Sequence, residues 1–123
     1  MKPRVPDHKF DFDAVESLVD AAPEVVWALV NELLVWLQDP NWPVFKPLVE
    51  LMVGIPADRL SAAIRPVLEG TDSAWKRALL EYLLSRHPTA TTLMMADLRR
   101  LAEHPTAADV EEGVPEAALR LLR

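Results

Sequence analysis

The sequence predicts an all-α domain built from short amphipathic helices. Leu, Ala, Glu and Arg, which favour helix, dominate the segments between prolines and glycines. Apolar residues recur at spacings of three and four, whereas the period-two alternation of strands is scarce. Eleven prolines and three glycines divide the chain into short segments. These segments run to roughly 10 to 16 residues, the length of ordinary globular helices.

The chain is predicted to open with an irregular arm, residues 1–12, followed by one helical-repeat domain, residues 13–123. Asp13 can cap the first helix, and Glu16, three residues later, completes a pair similar to a capping box. Pro23 suits the first turn of the second helix, because its missing N–H would have no partner there.

The second helix is expected to break into two pieces at Asn31. Its inward face would carry the apolar residues Val26, Trp27, Val30, Leu33, Leu34 and Leu37. A turn over residues 38–43 follows, in which Asp39 or Asn41 can cap the third helix. Gly54 is expected to end that helix.

The second half of the chain is divided into helices in the same way, by proline, glycine and capping residues. A fourth helix over about residues 58–69 should bend at Pro66, because proline removes a backbone donor and crowds the preceding turn. Asp72 can cap a fifth helix. A sixth is predicted near residues 90–103, and a short last helix near residues 115–123.

Two internal repeats suggest how the helices stack. An Asp-x-x-Trp motif recurs at residues 39–42 and 72–75, an offset of 33, and His-Pro-Thr-Ala recurs at residues 87–90 and 104–107, an offset of 17. Seventeen residues suit one helix with its turn, and 33 suit two. The predicted architecture is therefore a short HEAT-like α-α superhelix of stacked antiparallel helical hairpins. An irregular helical bundle is the alternative.

Composition is typical of a globular protein. Half of the residues are hydrophobic and 26% are charged, and 123 residues suit one domain. The absence of cysteine excludes disulfides and thiolate chemistry and agrees with a reducing compartment. The N-terminus has no apolar signal region, and the longest apolar stretch, residues 25–37, is too short for a membrane span. We therefore expect a cytoplasmic protein that does not enter a membrane.

Net charge and motif content argue against several functions. A charge of −6 opposes binding to phosphate backbones, so we expect no nucleic-acid partner. The serines lie outside any G-x-S-x-G motif, and the glycines form no phosphate loop. His87 and His104 each precede Pro-Thr at an expected helix end, and their spacing does not suit a metal site. We expect no enzymatic activity, catalytic residue, metal or cofactor.

The Asp-x-x-Trp turns supply the candidate site. In one interpretation the aspartates cap helices and the tryptophans lock hairpins together. In the other, the aromatic rings form a stacking platform for a ligand or partner. The candidate ligand- or partner-binding residues are Gln38, Asp39, Asn41, Trp42 and Trp75.

Residues 36–44, Trp-Leu-Gln-Asp-Pro-Asn-Trp-Pro-Val, resemble the hallmark turn of a small bacterial family of helical domains of unknown function. Residues 6–11 resemble that family's opening arm, and residues 72–76 and 105–106 resemble its later turns. Pro40 departs from the family pattern, in which an apolar residue other than proline is usual. The resemblance implies a helical fold and a bacterial origin, and it carries no known catalytic residue, ligand or partner.

The sequence thus favours a non-enzymatic protein-interaction module, such as a bacterial inhibitor or immunity-type partner. Its expected partner is another protein chain, including a second copy of itself. The alternative is a small-ligand or nucleotide pocket between helices around Trp42. The last segment, residues 115–123, places three leucines within four residues. It is expected either to close the core or to contact another chain.

Overall fold

The computed structural model describes residues 2–123, and all regular secondary structure in this range is helical, with no strand. The α-helices are α1 (Phe12–Val19), α2 (Pro23–Ala28), α3 (Val30–Val35), α4 (Phe45–Met52), α5 (Ala57–Glu69), α6 (Ser73–Ala78), α7 (Pro88–Leu93), α8 (Met95–Glu103), α9 (Ala107–Glu112) and α10 (Val114–Leu122). A π-helical turn (Leu79–Leu83) and a 3-10 turn (Leu84–Arg86) continue α6. The all-α prediction is confirmed, and HEAT-like stacking stays a prediction.

Helix α1 begins two residues earlier than a cap at Asp13 would place it, because its cap is Asp11. The carboxylate of Asp11 accepts a hydrogen bond from the N–H of Ala14 at 3.2 Å, whereas Asp13 lies exposed in the first turn. The two aspartates are two residues apart, and contacts with the arm select between them.

The arm is held against α1 by Arg4. Its guanidinium binds both carboxylate oxygens of Asp11, one of them at 2.9 Å, and its backbone N–H donates to the Ser17 hydroxyl at 3.2 Å. The N–H of Asp7 also donates to Asp11, at 2.9 Å. Hydrogen bonds from Arg4, with the backbone bonds from Asp7 and Ala14, lower the pKa of Asp11 well below its usual range. Residues 4–11 of the predicted arm therefore pack as an ordered part of the fold, and Phe12 belongs to α1.

The predicted second helix is two helices, α2 and α3, and the break falls at Leu29 rather than Asn31. Pro23 occupies the first turn of α2 as predicted. Leu29 has φ −98° and ψ 8°, and its N–H donates to the carbonyl of Val26, three residues back. This tight turn ends the α-helical ladder before Asn31, which lies within α3.

Neither predicted cap of the third helix acts as one. Helix α4 starts at Phe45, and the preceding residue, Val44, forms no side-chain cap. The carboxylate of Asp39 accepts from the N–H of Asn41 at 2.8 Å, which closes the turn before the helix. This side chain stabilises the loop and lies too far upstream to reach the start of α4.

Asp72 caps α6 as predicted, because its carboxylate accepts from the N–H of Trp75 at 3.0 Å. The predicted fourth helix corresponds to α5, which contains Pro66. The predicted sixth helix is two, α7 and α8, separated at Met94, where φ is −111° and ψ 15°. Helix α9 was not predicted, and its capping box is formed by Thr106 and Asp109.

The core lies between the helices and is almost entirely aliphatic. Its largest fully buried side chains include Phe45, Leu33, Leu37, Leu48, Met52 and Ile64. Helix α10 closes this core along α8, with Val114, Ala117 and Ala118 buried. The outer residue Leu119 is 47% exposed, and contact of this helix with another chain stays a prediction.

A buried ion pair joins α6 to α9. The ammonium of Lys76 lies 3.0 and 3.3 Å from the two carboxylate oxygens of Asp109, and both side chains are nearly inaccessible. The Ser73 hydroxyl donates to the same carboxylate at 2.6 Å, and the Thr106 N–H donates at 3.3 Å. Burial alone would raise the pKa of Asp109, but these hydrogen bonds together lower it.

Removing the cation of this pair should be strongly destabilising. In Lys76→Met the carboxylate of Asp109 would stay buried without a counter-charge, so we expect the free energy of unfolding to fall by about 3–5 kcal/mol. Lys76→Met/Asp109→Asn should lose less, because asparagine is neutral and still accepts hydrogen bonds. Lys46→Met, which removes an exposed lysine, is the control. Urea unfolding measures all three, and a loss below about 1 kcal/mol in Lys76→Met would contradict the prediction.

Acid should weaken the fold through Asp11 and Asp109. The folded-state pKa of each is lowered, so their stabilisation is present above the unfolded pKa of about 3.9 and is lost as pH falls below it. Asp11→Asn should be less stable than wild type at pH 7, and the difference should narrow as pH falls below about 3.9, because the Asp11 carboxylate of the unfolded chain then takes up a proton while that of the folded chain stays ionised. Urea unfolding across this pH range tests whether the stability difference between wild type and Asp11→Asn narrows, with Asp13→Asn as the control. A constant difference would exclude the Asp11 contribution.

Candidate functional site

Three adjoining clefts share one exposed aromatic residue, Tyr82, and together they form what we call the Tyr82 surface. The first, the turn cleft, has a volume of about 370 Å³ and lies between the 38–40 turn, α6 and the end of α9. Besides Tyr82, its polar and turn residues are Gln38, Asp39, Pro40, Arg77, Glu81 and Glu112.

The other two clefts lie against α10 and α4. The C-terminal cleft, about 560 Å³, adjoins α10, and besides Tyr82 its lining is Leu80, Glu81, Ser85, Ala117, Arg120 and Leu121. The α4 cleft is smaller, about 200 Å³, and besides Tyr82 its lining is Phe45, Lys46, Val49, Glu50 and Arg86. Tyr82 is the only lining residue that the turn cleft and the α4 cleft have in common, so its side chain separates them.

The π-helical turn explains why a tyrosine in a leucine-rich segment reaches the surface. The N–H of Leu84 bonds to the carbonyl of Leu79, five residues back, so this turn contains one residue more than an α-helical turn. Leu79, Leu80 and Leu83 stay buried while Tyr82 is 41% exposed. Single π-helical turns within longer helices are frequent at functional sites.

The Tyr82 ring is oriented by Phe45. The two ring centroids are 5.3 Å apart and the planes are nearly perpendicular at 85°, an edge-to-face contact. Phe45 is fully buried, so its position is fixed by the core. Tyr82 therefore presents its exposed part from a rigid base.

Glu81 connects the helices around the turn cleft. One of its carboxylate oxygens accepts hydrogen bonds from Arg77 and from Arg120, each at 3.0 Å. Arg77 also donates to the backbone carbonyl of Glu112 at 3.0 Å. This network links α6, α9 and α10, and it forms the border between the turn cleft and the C-terminal cleft.

A second ion pair crosses the α4 cleft. The guanidinium of Arg86 contacts both carboxylate oxygens of Glu50, at 2.5 and 3.2 Å. This contact lowers the pKa of Glu50. Both side chains are exposed, so the pair contributes little to stability and mainly orients the charges.

Some charges at these clefts have no counter-charge. Within residues 2–123, the side-chain carboxylates of Asp39 and Glu112 have no cationic group within 4.0 Å, and the Lys46 ammonium has no anionic group within that distance. Since Glu81 is matched by arginines, the turn cleft carries an excess of negative charge. The lining of the α4 cleft contains two cations and one anion, and so carries an excess of positive charge.

The structure brings two of the five candidate residues to a cleft. Gln38 and Asp39 line the turn cleft, whereas Asn41, Trp42 and Trp75 are not part of its lining. A binding role for these five residues stays a prediction.

Both tryptophans of the repeated motif are partly buried against the core. Trp42 packs against Trp36 with ring centroids 5.6 Å apart at an angle of 58°. The indole N–H of Trp75 donates to the carbonyl of Leu34 at 3.0 Å, across 41 residues of sequence. These contacts agree with the interpretation that the tryptophans lock helices together.

Sequence reasoning missed Tyr82, Arg77 and Glu81. Tyr82 falls among leucines in the predicted fifth helix, and residues 79–84 contain five apolar side chains. That number exceeds what one face of an α-helix can bury within six residues. This excess was the available signal for an exposed apolar side chain.

The histidines have structural surroundings. His87 caps α7, because its Nδ1 accepts from the N–H of Ala90 at 3.2 Å, and its Nε2 lies 2.8 Å from the carbonyl of Ile55. No group of three or more His, Asp or Glu side chains suited to a metal ion occurs in residues 2–123. No helix in the same range is both long and apolar enough to cross a membrane.

Replacing Trp75 should show how much its indole hydrogen bond contributes to the free energy of unfolding. We expect Trp75→Phe to lower the free energy of unfolding by about 1 kcal/mol more than Trp42→Phe, because only Trp75 donates to a backbone carbonyl. Thermal or urea unfolding of both variants makes the comparison. Equal losses would show that the indole N–H of Trp75 adds nothing to stability. The interpretation of Trp75 as part of a stacking platform for a ligand would then be favoured.

A comparison with curated proteins found no significant match. The family model described as Domain of unknown function (DUF5071) matches residues 4–122, which is nearly the whole chain and includes the arm, the Tyr82 surface and the buried Lys76–Asp109 pair. This agrees with the resemblance noted on the turns of the sequence. The chain belongs to the DUF5071 family.

Proposed function

We propose that this domain is a non-enzymatic protein-interaction module of the cytoplasm, and that its contact surface is the Tyr82 surface. A role as an inhibitor or immunity-type partner of another protein fits this class. The observation that carries the proposal is the position of Tyr82, an exposed aromatic ring at the junction of three clefts.

The chemistry of this surface is that of a protein interface. Tyrosine and arginine are enriched among the residues that dominate the binding energy of protein interfaces. Such residues are surrounded by other contacts that exclude water. Tyr82 is surrounded by Arg77, Arg86 and Arg120, one in each cleft. Each arginine is oriented by a carboxylate, so little side-chain entropy is lost when a partner binds.

The surroundings of Ser73, in the part of the chain that the structure describes, support the non-enzymatic part of the proposal. The closest association of a serine with ionisable groups is Ser73 with Lys76 and Asp109. There the hydroxyl donates to a carboxylate that is already paired with the ammonium, and all three residues are buried away from the clefts. This arrangement has no free base to activate the hydroxyl and no access for a substrate.

A small-ligand pocket remains the second candidate, because Gln38 and Asp39 line the turn cleft. Its volume of about 370 Å³ falls in the range of small-molecule pockets. Such pockets are mainly apolar, however, and this lining contains four charged residues. Since Trp42 lies outside it, the aromatic platform expected around that residue is not part of the cleft. A protein contact therefore accounts for the lining better.

The proposal predicts that truncating Tyr82 abolishes partner capture. Immobilised wild-type domain should retain a specific protein from an extract of the source cells, and Tyr82→Ala should reduce the recovered amount at least tenfold, which corresponds to about 1.4 kcal/mol. Leu93→Ala is the matched control, because Leu93 is a similarly exposed apolar residue outside the three clefts. Quantitative mass spectrometry measures recovery.

Thermal unfolding of both variants shows whether they remain folded, and Tyr82→Phe, which keeps the ring contact with Phe45, should retain most of the capture. Equal recovery by wild type and folded Tyr82→Ala would place the interaction elsewhere. Loss of capture in Leu93→Ala as well would also contradict the proposed surface.

A further inference from the structure

Charge differs across the Tyr82 ring, and this difference restricts the chemistry of a partner. On one side, the turn cleft contains Asp39 and Glu112, whose side-chain carboxylates form no ion pair in residues 2–123. On the other side, the α4 cleft has an apolar floor of Phe45 and Val49. Lys46 and Arg86 also line the α4 cleft, so a second cation would be repelled there.

We propose that the Tyr82 surface binds a short segment of another protein that combines a basic and an apolar residue. A Lys or Arg side chain enters the turn cleft beside Asp39 and Glu112, and a neighbouring apolar side chain enters the α4 cleft beside the exposed part of Tyr82. This inference rests on the proposed function and names the partner's chemistry.

The turn cleft suits a cationic side chain in both charge and shape. Its volume of about 370 Å³ exceeds that of any single side chain, so a Lys or Arg enters with part of its hydration. The Tyr82 ring forms part of the wall, and a cation close to an aromatic face gains further attraction. The net charge of −6 on the whole chain favours the approach of a basic segment at long range.

The existing arginines do not compete for the two acidic residues. Arg77 is committed to Glu81 and to the backbone carbonyl of Glu112, and Arg120 is committed to Glu81. The carboxylate of Asp39 accepts only the N–H of Asn41 within residues 2–123. A cation from outside the chain is therefore the group that can neutralise this cleft.

The test uses a phage-displayed library of random dodecapeptides as the probe. Selection on wild-type domain should enrich peptides in which a Lys or Arg stands within a few positions of an apolar residue. One enriched peptide, synthesised with a fluorescent label, is then titrated with the domain at low and high salt. Binding should weaken at least tenfold in Asp39→Asn/Glu112→Gln. Asparagine at position 39 can still accept the N–H of Asn41, so the turn is preserved.

The matched control is Asp58→Asn/Glu69→Gln, which changes the net charge by the same amount at two exposed residues of α5 outside the clefts. This variant should bind the peptide like wild type. Equal weakening in both double variants would show that only the overall charge attracts the peptide, and this would overturn the assignment of the cleft. Enrichment of acidic peptides, or of none, would overturn it too.

The outcomes separate this inference from the interaction function itself. If no basic peptide binds while Tyr82→Ala still abolishes capture of a cellular protein, the interaction surface stands and the proposed partner chemistry is wrong. If the peptide binds wild type and Tyr82→Ala equally, the basic segment uses a different surface and the proposed partner chemistry is wrong, whereas the interaction surface fails only if folded Tyr82→Ala also captures the cellular protein like wild type.

Discussion

The buried ion pair between Lys76 and Asp109 is the contact on which the arrangement of the clefts depends. Asp109 belongs to the capping box that starts α9, so one carboxylate both begins a helix and fixes that helix to α6. Such a pair is costly to desolvate and is stable only when each charge is satisfied by further hydrogen bonds. Here Ser73 and Thr106 supply those bonds. The geometry is therefore specified closely, because a displaced α9 would leave buried charges unpaired.

Two neighbours of this pair line the turn cleft. Arg77 follows Lys76 directly and donates to the last residue of α9, Glu112, on the outer side of the same helix contact. Lys76 thus joins α6 to α9 inside the fold, and Arg77 forms part of the wall of the turn cleft outside it. A stability defect at Lys76 would consequently alter the proposed binding surface as well.

The π-helical turn likewise places some of its side chains in the core and others at the surface. A regular α-helix would carry residues 79–84 past the core with one continuous apolar stripe. The extra residue in the π-helical turn lets the leucines stay buried while Tyr82 and Glu81 reach the clefts. The core contact of Tyr82 with Phe45 then ties the exposed ring to α4.

The sequence by itself determined the helical fold class and several helix boundaries. Proline at position 23 and the Asp72 cap could be recognised because their effects are local: each acts on backbone groups within one turn. The choice of Asp11 over Asp13 was not local, since it depends on Arg4 and the folded arm. The breaks at Leu29 and Met94 fall at residues that do not ordinarily end helices, so residue type alone could not predict them.

Only the tertiary structure decided the candidate site. Gln38 and Asp39 were recognisable as polar residues of a turn, but the charged residues opposite them, Arg77, Glu81 and Glu112, lie 38 or more positions further along the chain. Tyr82 lies among leucines in the predicted fifth helix, and the π-helical turn of the folded chain is what exposes it. Residue spacing determines which side chains share a helix face; contacts between distant helices determine which faces meet and which side chains are left to line a cleft.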